Sequence, residues 1–188
     1  RSSRSCSTRF SKSTASRTST LLDSWALTVA ERAWPVTNPT SPTALIGTGW
    51  WGMNILRTAI ASGTVRVVAL CDVDQNQLDP AAAEVEKLCG YKPKKYKDFR
   101  ELLDTERPEV AIVATPDHWH PLITIDALKH GAHVYVEKPI GHTIMEGRAM
   151  VNAARKHDRV VQVGTHRRVS PHNLSAHKFL KDGKAGKI

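Results

Sequence analysis

From residue 43 to residue 164 one rhythm recurs: a short apolar run, a stretch with helical spacing, then another apolar run. TALIG, VRVVAL, KKYKD, VAIVAT, HVYV and RVVQVG are the six runs, the third of them weak. Strands this apolar must be covered on both faces, and helices between them supply the cover. The rhythm therefore predicts an α/β fold, a doubly wound parallel sheet, with no internal sequence repeat behind it.

Local signals set the helices. NILRTAIAS follows the first strand, with Trp51, Ile55 and Ala59 on one face. Asp79 as N-cap and Pro80 in the first turn are expected to open AAAEVEKLC, which Gly90 closes. FRELLDT makes a short helix. Leu122, Ile125 and Leu128 mark another, ending at Gly131. Thr143 and Glu146 have the spacing of a capping box for a helix running to about His157. A last amphipathic helix follows in SPHNLSAHKFLKDGKAGKI.

The chemistry sits in the turns after the strands. IGTGWWG places Gly47, Gly49 and Gly52 in G-x-G-x-x-G spacing between a strand and a helix, 20 residues before Asp72 at the end of strand two. That is the context in which this pattern binds a dinucleotide. Gly47 makes the tight turn, Gly49 lets a pyrophosphate reach the backbone, and Gly52 allows close helix packing. No Gly-Lys-Ser/Thr follows, so it is not a Walker loop. Asp72 would accept from the adenosine ribose hydroxyls and repel a 2′-phosphate. With no arginine following it, NAD is expected rather than NADP. His118 and His120, in ATPDHWHPL, suggest a metal pair, but no third ligand has suitable spacing. No metal is expected. HVYVEKPIG ends a strand on Glu137 and Lys138 in front of Pro139. An arbitrary E-K-P is a solvated strand end, so its meaning depends on its surroundings.

Composition limits the alternatives. The net charge is +9, but Arg1, Arg4, Arg9, Lys12 and Arg17 supply +5 of it within the first 20 residues, leaving +4 over the other 168. A basic Ser/Thr-rich tail over residues 1–42, disordered or artefactual, precedes a nearly ordinary domain, and no nucleic-acid partner is expected. That composition also suits an organelle transit peptide. No run of about 18 apolar residues exists, so no membrane span is expected. Cys6, Cys71 and Cys89 form no disulfide framework, and Cys71 and Cys89 read as reduced, structural thiols of an intracellular protein, expected to be cytoplasmic.

GTGWWG, CDVD, TPDHWHPLITIDALKHGAHVYVEKPI and VVQVGTHRRVSP, in this order and spacing, resemble the N-terminal domain of the glucose–fructose oxidoreductase/inositol dehydrogenase/MocA family. The likeness covers residues 43 to about 188. It implies a Rossmann-type dinucleotide-binding domain over 43–168, with 169–188 a linking helix and the truncated start of a second, substrate-binding α/β domain. It implies a dehydrogenase of a sugar, cyclitol or related polyol, a homo-oligomer when full length. In that family the lysine matching Lys138 sits beside the nicotinamide and contacts the hydroxyl being oxidised. The glutamate matching Glu137 lies at the cofactor. Thr115, Pro116, His118 and His120 match segments lining the nicotinamide half, and Trp50 and Trp51 lie in the glycine turn. Two other readings within the family are a non-catalytic dinucleotide-binding regulator and an NAD-dependent glycosidase. Relatives of the latter kind tend to lack the E-K-P lysine.

Overall fold

The computed structural model describes residues 40–187, so the expectations for Cys6 and for most of the basic tail lie outside the described residues. The described residues divide between Gly164 and Thr165 into two compact units.

The first unit is a six-stranded sheet, all parallel, in the order β3-β2-β1-β4-β5-β6. Its strands are β1 (Ser41–Ile46), β2 (Val65–Cys71), β3 (Lys94–Tyr96), β4 (Val110–Val113), β5 (His133–Val136) and β6 (Val161–Val163). The connecting helices are α1 (Trp50–Ala61), α2 (Gln75–Cys89), α3 (Phe99–Glu106), α4 (His120–Lys129) and α5 (Ile144–His157). Successive strand side chains point to opposite faces. Ala44, Ile46, Ala69, Ala111, Val113, Val134 and Val136 pack with Leu102 and Leu103 of α3, Ile123 and Leu128 of α4 and Met150 of α5. Leu45, Leu70 and Ile112 alternate with them and are equally buried, as are Leu56 of α1 and Val85 of α2. The strand order reverses between β1 and β4, which opens a crevice at the carboxyl ends of the strands.

The sequence signals hold best at helix ends. Thr143 caps α5: its hydroxyl accepts from Glu146 N–H at 3.2 Å, and Glu146 accepts from Thr143 N–H at 2.8 Å. Gly90 closes α2 in the left-handed conformation. Three expectations need correction. The first strand is longer than TALIG at its start: β1 begins at Ser41 and includes Pro42. The Pro42 carbonyl still accepts from Glu109 N–H at 2.9 Å, and because β4 starts only at Val110 the missing donor faces no ladder partner. Asp79 is not the cap of α2. Asp74 is, accepting from Asn76 N–H at 2.9 Å, and the helix runs through Pro80. The carbonyl that Pro80 deprives of its intrahelical donor belongs to Asn76, an exposed residue. Leu122 does not face the core; it is 58% exposed, and α4 buries Ile123, Thr124, Ala127 and Leu128 instead.

The β5–β6 edge carries a pH-sensitive contact. His133 Nδ1 accepts from Val160 N–H at 3.0 Å. Burial, reinforced by Arg159, holds this imidazole below its ordinary value. The unfolded chain therefore binds the proton more readily than the folded one. This contribution to stability is present above the ordinary histidine value near 6.5 and is lost as pH falls through the depressed one. Urea midpoints are expected to fall between pH 7.5 and 5.5, and His133→Asn is expected to flatten part of that slope. An identical slope in the variant would sever the link.

In the second unit a 3-10 turn (His166–Val169) leads into α6 (Pro171–Lys181), opened by Pro171 in its first turn. Among the described residues no helix is long and apolar enough to cross a membrane.

Candidate active site

A cleft of about 510 Å³ opens at the carboxyl end of the sheet. Its floor is the glycine turn between β1 and α1. Gly47 has φ +95°, a conformation L side chains rarely adopt, and a Cβ there would meet the Ala114 carbonyl oxygen at 2.5 Å. Gly52 lies against the Gly47 carbonyl, where a Cβ would overlap the oxygen. Gly49 is different: a Cβ would meet nothing within 4 Å. It is the N-cap of α1, and that end has neither a side-chain cap nor an acidic residue in its first turn. A helix N-terminus left this way favours an anion.

Asp72 is tied to the same turn. Its Oδ2 accepts from Thr48 N–H at 2.7 Å and from the Thr48 hydroxyl at 3.0 Å, while Oδ1 accepts from Asp74 N–H at 3.0 Å. An ionised carboxylate offers about four acceptor sites, so capacity is left for a ligand hydroxyl. Cys71 lies beneath it, its thiol pushed up to about 12 by burial and by Asp72. That thiol is an inert wall.

Across the cleft stand Thr115 and Pro116, after β4. The Thr115 hydroxyl is buried and, among the described residues, has no hydrogen-bond partner. A glycine facing open space and an uncapped helix end face the cavity, and Thr115 lines it. These features fit a nicotinamide dinucleotide.

The outer end of the cleft holds residues that the sequence motifs miss. Lys97, after β3, and Phe99 and Arg100, which open α3, line it with Trp119. The Arg100 guanidinium lies 4.5 Å over the Phe99 ring and bonds Asp98 at 3.3 Å, and Trp119 meets Phe99 edge-on at 6.4 Å. No arginine follows Asp72 in sequence, yet cations reach the same cleft from β3. The available signal is that a loop after a parallel strand ends at the crevice.

Other expected site residues stand outside the lining. Trp51 lines the cleft, but Trp50 is 75% exposed and stacks tilted against it at 5.4 Å. His118 is exposed, 3.9 Å from Asp117 across the ion pair that Asp117 makes more closely, at 3.1 Å, with His142. The hydrogen bond from His142 holds the Asp117 carboxyl below its ordinary range. His120 is buried, with both ring nitrogens against backbone carbonyls. Among the described residues no group of three or more His, Cys, Asp or Glu is arranged to hold a metal.

Glu137 turns away from the cleft toward β6. Its carboxylate is 4% exposed, accepting from the Tyr135 hydroxyl at 2.7 Å and from Lys138 N–H at 3.1 Å. Burial and this carboxylate drive the Tyr135 phenol far above its ordinary value. Gly164 leaves room for the pair, since a Cβ there would overlap both groups. Lys138, one residue on, is exposed at the carboxyl end of β5, and its peptide bond to Pro139 is cis. The arrangement places one ammonium on a turn whose backbone is held by a buried acid.

Residues 42–165 match the model of the oxidoreductase family with an NAD-binding Rossmann fold. A glycosyl hydrolase family 109 protein of Saccharopolyspora erythraea is 30% identical over 148 residues, 77% of this chain and 32% of that protein. Levoglucosan dehydrogenase of Pseudarthrobacter phenanthrenivorans is 33% identical over 107 residues, 57% of this chain and 27% of that protein. The structure of scyllo-inositol dehydrogenase from Lactobacillus casei with NAD(H) and scyllo-inositol superposes with a TM-score of 0.67 at 25% identity. The match covers 79% of this chain and 43% of that one. The chain thus spans about a third of the curated relatives that it matches.

Proposed function

Because the chain belongs to the oxidoreductase family with an NAD-binding Rossmann fold, we propose that its cleft holds NAD. We further propose that the whole protein moves a hydride between that cofactor and a secondary alcohol of a sugar, cyclitol or related polyol. The observation that carries the reading is the glycine turn tied through Thr48 to Asp72 beside an open cleft. The turn at Gly47, Gly49 and Gly52 would hold the pyrophosphate, and Asp72 the adenosine ribose. Thr115 and Pro116 would flank the cofactor, with Trp51 at the start of α1. When bound, the nicotinamide takes or returns the hydride.

The remaining work falls to this chain's side chains. Oxidising an alcohol requires its oxygen to lose a proton, or to be steadied as an alkoxide, as the hydride leaves. Lys138 Nζ can do either, as a hydrogen-bond donor or as a proton carrier. Glu137 serves by holding the Lys138 N–H. Asp72 disfavours a 2′-phosphate. Arg100, already engaged by Asp98 and Phe99, offers that phosphate little compensation. These points support NAD over NADP. The likeness to the family 109 protein favours a second reading, an NAD-dependent glycosidase, in which glycoside is cleaved with no net NADH. Lys138 supports the dehydrogenase.

Fluorescence titration with NADH and NADPH tests the cofactor assignment. NADH is expected to bind more tightly, and Asp72→Ser to weaken it by about 1–3 kcal/mol through the loss of charge-assisted hydrogen bonds. Equal affinity for the two cofactors, or tighter NADPH, overturns the NAD assignment.

A further inference from the structure

His120 opens α4 and is 2% exposed. Its Nδ1 lies 2.6 Å from the Pro139 carbonyl oxygen, and its Nε2 lies 2.9 Å from that of Thr115. Carbonyl oxygens only accept, so each contact calls for an N–H on that ring nitrogen. A neutral imidazole has one N–H. Its other nitrogen would turn a lone pair on a carbonyl, in a place where water cannot relieve the repulsion. A ring carrying an N–H on each nitrogen would satisfy both carbonyls at once.

The two carbonyls belong to two parts of the candidate site. Thr115 lines the cleft, and Pro139 directly follows Lys138. We propose that His120 is a positioning residue, a doubly protonated ring that clasps the cleft wall at Thr115 to the turn carrying Lys138. The clasp sets the span between bound cofactor and lysine. This rests on the reading that the cleft holds a nicotinamide dinucleotide.

Charged side chains stand on the elements packed around the ring. On its own side Asp117 precedes it, paired with His142. On the turn after β5 stand Glu137, Lys138 and His142, and at the start of α5 stands Glu146, whose carboxylate takes the N–H groups of His142 and Thr143 at 2.8 Å. These elements are tightly packed: a Cβ on Gly141 would come within 3.0 Å of Pro121 and 3.2 Å of Glu146. The Lys138 turn is held from both sides, its N–H by Glu137 and the next carbonyl by His120.

Long-range proton–nitrogen NMR of the nitrogen-15-labelled 188-residue chain reads the clasp directly. At pH 7.5 one histidine is expected to show both ring nitrogens in the protonated range, with two slowly exchanging N–H protons. That signature should vanish in His120→Gln. A His120 with one unprotonated nitrogen at pH 7.5 overturns the clasp. NADH titration, run well below the melting temperature, adds a second measure. His120→Phe, which has no donor, should bind roughly tenfold more weakly, and His120→Gln, with one donor group, should fall between it and the unaltered chain. Equal NADH affinity in all three overturns the positioning role, whatever their melting temperatures. If His120→Phe does not fold, the glutamine variant and the NMR signature still decide. Should the unaltered chain bind no NADH, the proposed function fails and the NMR signature alone judges the clasp.

Discussion

Gly49→Val is expected to abolish NADH binding while leaving the melting temperature nearly unchanged, whereas Gly47→Val is expected to lose both. The three glycines occupy one turn but do different work. At Gly47 a side chain meets a left-handed backbone, costing about 1–3 kcal/mol. It also meets the Ala114 carbonyl at 2.5 Å, an overpacking worth about 1–3 kcal/mol more. Gly52→Ala would gain roughly 1 kcal/mol of helix propensity, yet its Cβ would overlap the Gly47 carbonyl, so a net loss of stability is expected there too. Gly49 stands at the mouth of α1 with nothing within 4 Å, so the folded chain has no objection to a side chain. Only something entering the cleft does. If the pyrophosphate approaches the backbone here, valine fills its place and the affinity falls at least a hundredfold, equivalent to about 2.8 kcal/mol. Thermal melts and NADH fluorescence on the three variants separate the cases. A Gly49→Val chain that binds NADH normally places the phosphates elsewhere and removes the glycine turn from the site.

What the sequence discloses depends on how local the cause is. The α5 capping box is legible residue by residue because Thr143 and Glu146 satisfy each other within one turn. The glycine turn is legible because its spacing, its strand and its helix are contiguous. The parallel sheet is legible because runs such as VAIVAT admit no solvent-facing side. The misplaced start of α2 has a local cause too: Asp74 and Asp79 are both credible caps, and Pro80 pulls the choice toward the wrong one. Leu122 misleads for another reason. Residue size suggests a face, whereas α4 buries the smaller Thr124 and Ala127.

In the site, the hidden parts are those made by distant segments. Thr48 and Asp72 are 24 residues apart, His120 and Pro139 are 19 apart, and neither contact leaves a periodicity. Phe99 and Arg100, at the start of α3, reach the cleft only once the strand order sets β3 beside β2. Glu137 shows the same limit in reverse. Its position at the end of β5 is readable, but its turn toward Tyr135 depends on the bare backbone of Gly164, 27 residues away.

Lys138→Met is expected to leave NADH affinity and melting temperature nearly unchanged and to lower turnover by about two orders of magnitude or more. The side chain is exposed and lies outside the lining of the cleft, so neither packing nor the phosphate and ribose sites depend on it. Methionine keeps an unbranched apolar stem and removes the ammonium. The backbone contacts persist, because Glu137 holds the Lys138 N–H and His120 holds the Pro139 carbonyl, neither through the lysine side chain. On the proposed function, what disappears is the group that would take a proton from the substrate oxygen or steady its charge, a loss of about 10²–10⁴ in rate for a general acid or base. Turnover is read by NADH absorbance with inositols, aldoses and sugar acids, on this chain joined to the part of its relatives that it does not cover. If the loss falls in kcat with KM little changed, the lysine acts in the transition state. A rise in KM alone would make it a binding group. Near-normal turnover would leave Glu137 and Lys138 as a solvated strand end, and the dehydrogenase reading would lose the residue that separates it from the glycosidase.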